Sequence, residues 1–192
     1  PMARNSVVNV GSFGFYLGEE GFWSFSGSGS RAIGDQKVDR YFLDDLDQNY
    51  IDRVYGAADP VSKMVYWAYP GSGNSSGQPN KIIVYNWAAD RWATADITQE
   101  YMFRNLSVSR TLEDLDDFGT MDSIDVSLDD ESWIGGLTSL NSFDSDYKLC
   151  RFTGSNLAAT LETQELGGTG RIYVNAIRPY VDGGTVTVAL KH

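Results

Sequence analysis

Residues 81–92, with the sequence KIIVYNWAADRW, constrain the fold of this chain more than any other stretch. A β-branched and aromatic run comes first, residues 88–90 form a turn of small residues and Asp, and apolar character resumes at Trp92. β-Branched and aromatic side chains suit a pleated, half-buried surface, and Asp favours turns. The stretch therefore predicts a β-hairpin whose second strand runs to about Ile97.

Two weaker copies of part of this hairpin occur elsewhere in the chain. The five-residue stretches that begin at Phe22, Val84 and Leu149 share one order: apolar, large or soft apolar, polar, aromatic, small. A recurring antiparallel β-meander is typical of propellers and other stacked β architectures. Three units are fewer than a closed propeller contains. The sequence therefore predicts a mainly β, propeller-like fold that is incomplete within this chain, and a two-sheet β-sandwich is the alternative.

Period-two hydrophobicity predicts several other strands. Phe13, Phe15 and Leu17 share one face of a strand at 13–17, and a turn at 18–21 joins it to a strand at 22–26. Asp182-Gly183 predicts a tight hairpin turn near the end of the chain, because Asp-Gly readily adopts positive φ. The remaining predicted strands are 51–57, 64–69, 140–143, 147–153, 157–163, 171–180 and 185–190.

Two segments change to a helical period. Residues 35–47 predict one short helix that Asp35 caps, and its apolar stripe contains Val38, Tyr41, Phe42 and Leu46. Asp39, Asp44, Asp45 and Asp47 lie mostly off that stripe, so we expect them on a solvated face. A second, acidic helical insert is predicted near 111–118, within a segment that has many acidic residues and no Lys or Arg.

Length and charge bound the function. The 192 residues suit a single β domain spanning 1–192, with a division into 1–99 and 100–192 as the alternative. The chain starts at Pro1-Met2 and stops within a strand-like pattern, which suggests a fragment of a longer protein. The net charge of -11 argues against a face that binds nucleic acid and against docking on anionic lipid. No apolar run approaches the length of a membrane span.

Catalytic and zinc-binding patterns are absent from the sequence. The single histidine is His192, at the end of the chain, and the single cysteine is Cys150, within a predicted strand. Neither a Ser-His-Asp arrangement inside the fold nor a zinc site can be assembled from these residues. We therefore expect no enzyme activity, no catalytic, metal or cofactor-binding residues, and a structural role for Cys150.

Calcium is the one metal that the sequence keeps as an alternative. Asp114, Asp116 and Asp125 fall at positions 1, 3 and 12 of an EF-hand loop, and Gly119 falls at position 6. Phe118 occupies position 5, where an oxygen ligand belongs, so a solvated acidic segment is the preferred interpretation.

Tryptophans raise the alternative of sugar binding, because indole rings stack on sugars. Their positions in predicted strands favour packing between sheets instead. The five tryptophans are Trp23, Trp67, Trp87, Trp92 and Trp133.

Three groups of segments, in this order, resemble virion proteins of tailed bacteriophages. The first is 32–42 with Asp45-Leu46, the second joins 59–60, 65–70 and 83–87, and the third joins 161–163 to 177–188. The resemblance spans most of the chain from about residue 11. It implies a structural protein of the tail or head–tail connector with a propeller-like β domain and no catalytic motif.

The resemblance also implies location and partners. We expect a virion protein that binds other virion proteins, forms a homo-oligomer in the particle, and binds neither membrane nor specific nucleic-acid sequences. The alternative is a carbohydrate-binding or glycan-processing β domain of a receptor-binding tail component.

Overall fold

The computed structural model of the chain describes residues 1–35, 37–106, 138–152, 158–161, 173–179 and 185–189. By its internal contacts the chain divides into two units, Pro1–Gly154 and Ser155–His192. Over the described residues, no helix is long and apolar enough to cross a membrane. The predicted acidic insert at 111–118 and the Asp182-Gly183 turn lie outside the described residues.

The described stretches of the second unit are not in strands. Residues 158–161, 173–179 and 185–189 lack regular secondary structure, so the strands predicted at 157–163, 171–180 and 185–190 are wrong over these residues. Their side chains are exposed, with Tyr173 at 91% and Leu161 at 90%. Alternating apolar residues stabilise a strand only when one face is buried, and these faces are not.

The first unit is built from antiparallel strands, which confirms the mainly β prediction. The first sheet contains β1 (Val8–Val10), β2 (Phe13–Gly18), β3 (Gly21–Ser26) and β4 (Gly29–Ala32) in that order. The middle sheet contains β5 (Tyr55–Asp59), β6 (Met64–Tyr69), β7 (Lys81–Asn86) and β8 (Arg91–Asp96). The third sheet contains β9 (Tyr101–Leu106), β10 (Thr138–Phe143) and β11 (Leu149–Arg151).

Each sheet is a meander of consecutive strands, and the described residues form three sheets instead of the two of a sandwich. The three sequence copies begin on β3, β7 and β11, each the third strand of its sheet. Their registers differ. In each strand we count from the residue that pairs with the preceding strand next to the turn; the pairs are Gly18–Gly21, Tyr69–Lys81 and Phe143–Leu149. The copies begin at the second residue of β3, the fourth residue of β7 and the first residue of β11.

The hairpin predicted at 81–92 is present. β7 and β8 pair with Tyr85 opposite Trp92, and the hydroxyl of Tyr85 donates a hydrogen bond to Asp90 in the turn at 3.1 Å. The strand predicted at 51–57 is partly wrong, because a 3-10 helix occupies Gln48–Arg53 before β5 starts. Asp47 starts that helix, since its carboxylate accepts the backbone N–H of Asn49 at 3.1 Å.

The predicted helix is shorter than its apolar stripe. Helix α1 spans Asp39–Asp45, and Val38 occupies the N-cap without a side-chain hydrogen bond, so the cap predicted at Asp35 is wrong. The carbonyl of Gly34 accepts the backbone N–H groups of Lys37, Val38 and Asp39 instead. A second 3-10 helix, Arg4–Ser6, precedes β1.

Two aspartates of this segment are not solvated, contrary to expectation. Asp39 is 8% exposed, and its carboxylate accepts the backbone N–H of Phe22 at 3.0 Å. Burial raises the pKa of Asp39 although this hydrogen bond lowers it. Asp45 lies in a polar cluster that is described below. Asp39 therefore fastens α1 to the start of β3.

An aromatic core fills the space between the first sheet, α1 and one face of the middle sheet. The ring of Phe22 lies 4.6 Å from Trp67 and 4.8 Å from Phe42, measured between centroids. The indole N–H of the buried Trp67 donates a hydrogen bond to the carbonyl of Ser6 at 2.9 Å. Large aromatic side chains that bury their rings and satisfy their N–H groups contribute strongly to a core.

A second core lies on the opposite face of the middle sheet. Tyr55, Ala57, Ala68 and Ile82 of the middle sheet pack there with Met102 and Leu140 of the third sheet. The middle sheet is therefore buried on both faces, which explains why the sequence of β7 is an almost continuous apolar run.

Candidate functional site

The first strands of the three sheets border one cleft. Among the described strands, β1, β5 and β9 each lie at an edge of their sheet, and residues from all three line a cavity of about 260 Å³. We call it the first-strand cleft. Its lining residues are Val7, Val8, Asn9, Gly56, Ala57, Ala58, Tyr101, Met102, Phe103 and Arg104.

Small residues on β5 let the strands come close together. A Cβ atom at Gly56 would overlap the side chain of Val8 and would lie 3.0 Å from the ring of Trp67. Gly56 therefore fits because it has no side chain, and Ala57 and Ala58 continue the narrow wall. The sequence YGAAD in β5 therefore shapes the cleft because its glycine and alanines lack large side chains.

The described residues that line the first-strand cleft are mostly apolar. Among the described residues, Arg104 and Tyr101 are the ionisable ones that line it, and none of those lining residues is a carboxylate. Glycoside hydrolysis needs two facing carboxylates, which the described lining of this cleft does not supply. Exposed apolar groups remain, with Val7 at 40% and Tyr101 at 52% exposure. Edge strands also present unpaired backbone N–H and C=O groups to a partner.

A second constellation, which we call the Asp45 cluster, joins α1 to the loop before β7. The Lys81 ammonium lies 2.8 Å from Oδ1 of Asp45. The hydroxyls of Ser72 and Tyr69 donate hydrogen bonds to the same carboxylate at 2.6 and 3.0 Å. Sequence reasoning missed this cluster because its members are separated along the chain and Asp45 fell on the expected solvated face.

The Asp45 cluster contains a Ser and a Lys, as a Ser–Lys catalytic pair does, but its Lys stays protonated. Lys81 donates to the Ser72 hydroxyl at 3.2 Å. Burial lowers the pKa of Lys81, but the hydrogen bond and charge of Asp45 outweigh it and raise the pKa above its ordinary value. A lysine that stays protonated cannot accept the serine proton. The Asp45 cluster is therefore a structural ion pair.

The residues that the sequence singled out do not form a reaction centre in the described structure. Cys150 is a half-buried free thiol on β11, and burial together with the Asp144 carboxylate raises its pKa, which disfavours the reactive thiolate. Among the described residues, no group of three or more His, Cys, Asp or Glu side chains is arranged to hold a metal ion. The calcium ligands considered above, Asp114, Asp116 and Asp125, and also His192, lie outside them.

The tryptophans divide between the core and the surface. Trp67 is fully buried, and Trp87 and Trp92 pack against the same aromatic core. Trp23 belongs to neither core, since it lies on the outer face of the first sheet opposite Tyr16. Packing between sheets, the preferred interpretation for all five, is therefore wrong for Trp23, and Trp133 lies outside the described residues.

Comparison with known proteins does not identify a family or a function for the chain. No family model matches the chain, and no curated protein matches its sequence.

Proposed function

We propose that this chain is a non-enzymatic structural protein of a tailed-phage virion, in the tail or head–tail connector. It acts through contacts with other virion proteins and with further copies of itself. One observation carries the proposal: three sheet edges border the first-strand cleft. The resemblance of the sequence segments to phage virion proteins supplies the biological setting.

Edge strands are suited to assembly because they extend a sheet into a neighbouring chain. Unpaired N–H and C=O groups give such a contact its affinity, and alternate side chains give it specificity. The first-strand cleft offers three edges together with exposed apolar groups at Val7 and Tyr101. A strand or loop of a neighbouring subunit fits this combination better than a small polar substrate does.

The charge of the chain agrees with a structural role beside DNA. A net charge of -11 repels the phosphate backbone, so a protein of this composition does not hold DNA as it passes through a connector or tail. We therefore propose protein partners and no specific nucleic-acid binding.

Glycan binding has weaker support. Three of the four described tryptophans pack in or against the aromatic core, which leaves Trp23 for stacking on a sugar. The part of the first-strand cleft that the structure describes does not contain the pair of carboxylates that glycan hydrolysis requires.

The test compares two valine-to-lysine variants in phage particles that encode them. Val7 lines the first-strand cleft and is 40% exposed, whereas Val61 is 67% exposed and does not line it. Val7→Lys places a charge at the proposed contact, and Val61→Lys is the matched control. Quantitative mass spectrometry of purified particles should show a fixed copy number for the wild type and Val61→Lys, and loss of Val7→Lys.

Two results would contradict the proposal. The first is that the wild-type chain is absent from intact particles. The second is that Val7→Lys, with an unchanged melting temperature, enters particles as well as Val61→Lys does. The melting temperature separates a lost contact from a lost fold.

A further inference from the structure

The outer face of the first sheet carries a cavity that the proposed assembly role does not use. About 310 Å³ in volume, it is lined by Tyr16, Gly18, Glu19, Glu20, Trp23 and residues 1–2. We call it the Tyr16–Trp23 cavity. It lies on the face opposite the aromatic core, because Tyr16 and Trp23 pair across β2 and β3 with side chains pointing away from Phe15 and Phe22.

A glycine sets the position of the indole. A Cβ atom at Gly18 would lie 2.9 Å from Cδ1 and 3.0 Å from Nε1 of Trp23. The indole therefore lies against the bare backbone of β2. Tyr16 and Trp23 both remain partly exposed, so their rings form an aromatic wall that a ligand can reach.

Among the described residues, Glu19 and Glu20 supply the charged side chains that line the cavity, and Pro1 lines it as well. Glu19 and Glu20 form the exposed turn between β2 and β3. Neither takes part in any of the salt bridges found among the described residues. An aromatic wall beside two carboxylates attracts a cation through the ring quadrupole and through charge.

We propose that the Tyr16–Trp23 cavity receives an arginine side chain of a partner protein, which stacks on Trp23 and pairs with Glu19 and Glu20. A guanidinium is planar and donates forked hydrogen bonds, so it can stack on an indole and bind a carboxylate at once. A lysine ammonium group binds a carboxylate well but does not stack well on an indole. The acidic chain, with its net charge of -11, favours a basic partner.

The test uses a short capped peptide with one arginine, acetyl-Gly-Arg-Gly-amide, as the probe. Nuclear magnetic resonance resolves the indole N–H signals of the individual tryptophans. The Trp23 signal should shift saturably with the arginine peptide, with a dissociation constant of about 1 mM. The lysine peptide should bind more weakly, and the neutral citrulline peptide, which keeps the planar shape, should not shift the signal.

Matched variants separate local charge from net charge. Glu19→Gln with Glu20→Gln should raise the dissociation constant by about tenfold or more. Asp44→Asn with Asp52→Asn removes the same two charges from exposed positions elsewhere and should leave binding unchanged. Equal melting temperatures of the two double variants would show that the fold is retained in both.

Three outcomes would overturn the proposal. The citrulline peptide binds as well as the arginine peptide, or the Trp23 signal responds to a neutral sugar and not to arginine, or no peptide shifts it. A sugar response would instead favour the glycan alternative.

Discussion

Lys81 donates hydrogen bonds to both oxygens of the Asp45 carboxylate, with its Nζ atom 2.8 Å from Oδ1 and 2.9 Å from Oδ2. The pair joins β7 of the middle sheet to the end of α1, across 36 residues of sequence. Ser72 and Tyr69 complete the shell around the carboxylate, so little of its charge faces water.

Asp45→Asn should lower the free energy of unfolding by about 1.5–3 kcal/mol, because it leaves the Lys81 ammonium without its charged partner. Urea denaturation at neutral pH measures the change. Asp44→Asn is the control, since Asp44 is 74% exposed and its contact with Arg40 is a surface pair. An equal effect of the two variants would show that Asp45 acts only through net charge.

The contribution of Asp45 should depend on pH. Burial disfavours the charged form, but hydrogen bonds from Lys81, Ser72 and Tyr69 outweigh it, and the pKa of Asp45 falls below its ordinary value of 3.8. A lowered pKa stabilises the fold fully above pH 3.8, and this stability is lost as the pH falls through the folded-state pKa.

At alkaline pH the dependence is reversed, because the contribution of Lys81 to stability falls as the pH rises. The pKa of Lys81 is raised above 10.5, so its contribution is full below pH 10.5 and is lost as the pH rises through the folded-state pKa. The difference in unfolding free energy between wild type and Asp45→Asn should therefore be constant between these limits and shrink below pH 3.8. Urea titrations across this range measure it, and a difference that grows on acidification would contradict the assignment.

Trp67→Ala should cost about 3–5 kcal/mol of unfolding free energy, because it removes a fully buried ring and its N–H bond to Ser6. Trp23→Ala makes the same chemical change on the outer face of the first sheet and should cost about 1 kcal/mol. Denaturant unfolding compares the two variants. A larger loss of unfolding free energy for Trp23→Ala than for Trp67→Ala would contradict the assignment of the aromatic core to the inner face of the first sheet.

Gly56→Ala should cost about 1–3 kcal/mol of unfolding free energy, since its methyl group meets Val8 in a packed wall. Truncating Val8 to Ala makes room, so the double variant should be more stable than the sum of the two single effects implies. Gly27→Ala is the control, because a Cβ atom there has no described neighbour within 4 Å. Additive effects at Gly56 and Val8 would mean that β1 and β5 are not in close contact.

Local pattern predicted the hairpins, because residues that alternate in the sequence also pair across short turns. β2 with β3, and β7 with β8, match their predicted positions closely. β4 was missed, since Gly29-Ser30-Arg31-Ala32 has no apolar alternation and forms a strand only by pairing with β3. The strand predicted at 51–57 is wrong over 51–53, where the 3-10 helix that Asp47 caps outweighs the apolar pattern, and correct over 55–57.

The candidate sites were harder to predict because distant residues form them. The first-strand cleft combines residues 7–9, 56–58 and 101–104, and none of these segments carries a recognisable motif. The Tyr16–Trp23 cavity is local in sequence, and the pairing of β2 with β3 was predictable. Which face of that hairpin points to solvent depended on the middle sheet, whose position the sequence does not encode locally.

The pairing of Leu106 with Thr138, at the ends of β9 and β10, has a consequence for how the chain tolerates length. Paired residues of antiparallel strands have Cα atoms roughly 5.5 Å apart or closer, so the chain leaves and re-enters the third sheet at one place. Loop-closure entropy grows slowly with loop length, so a long connection there costs little. The ends of β9 and β10 are therefore close enough for a two-residue turn to join them: with Asn-Gly in place of residues 107–137, we expect the β9–β10 pairing to persist, and hydrogen exchange of its backbone amides would measure this.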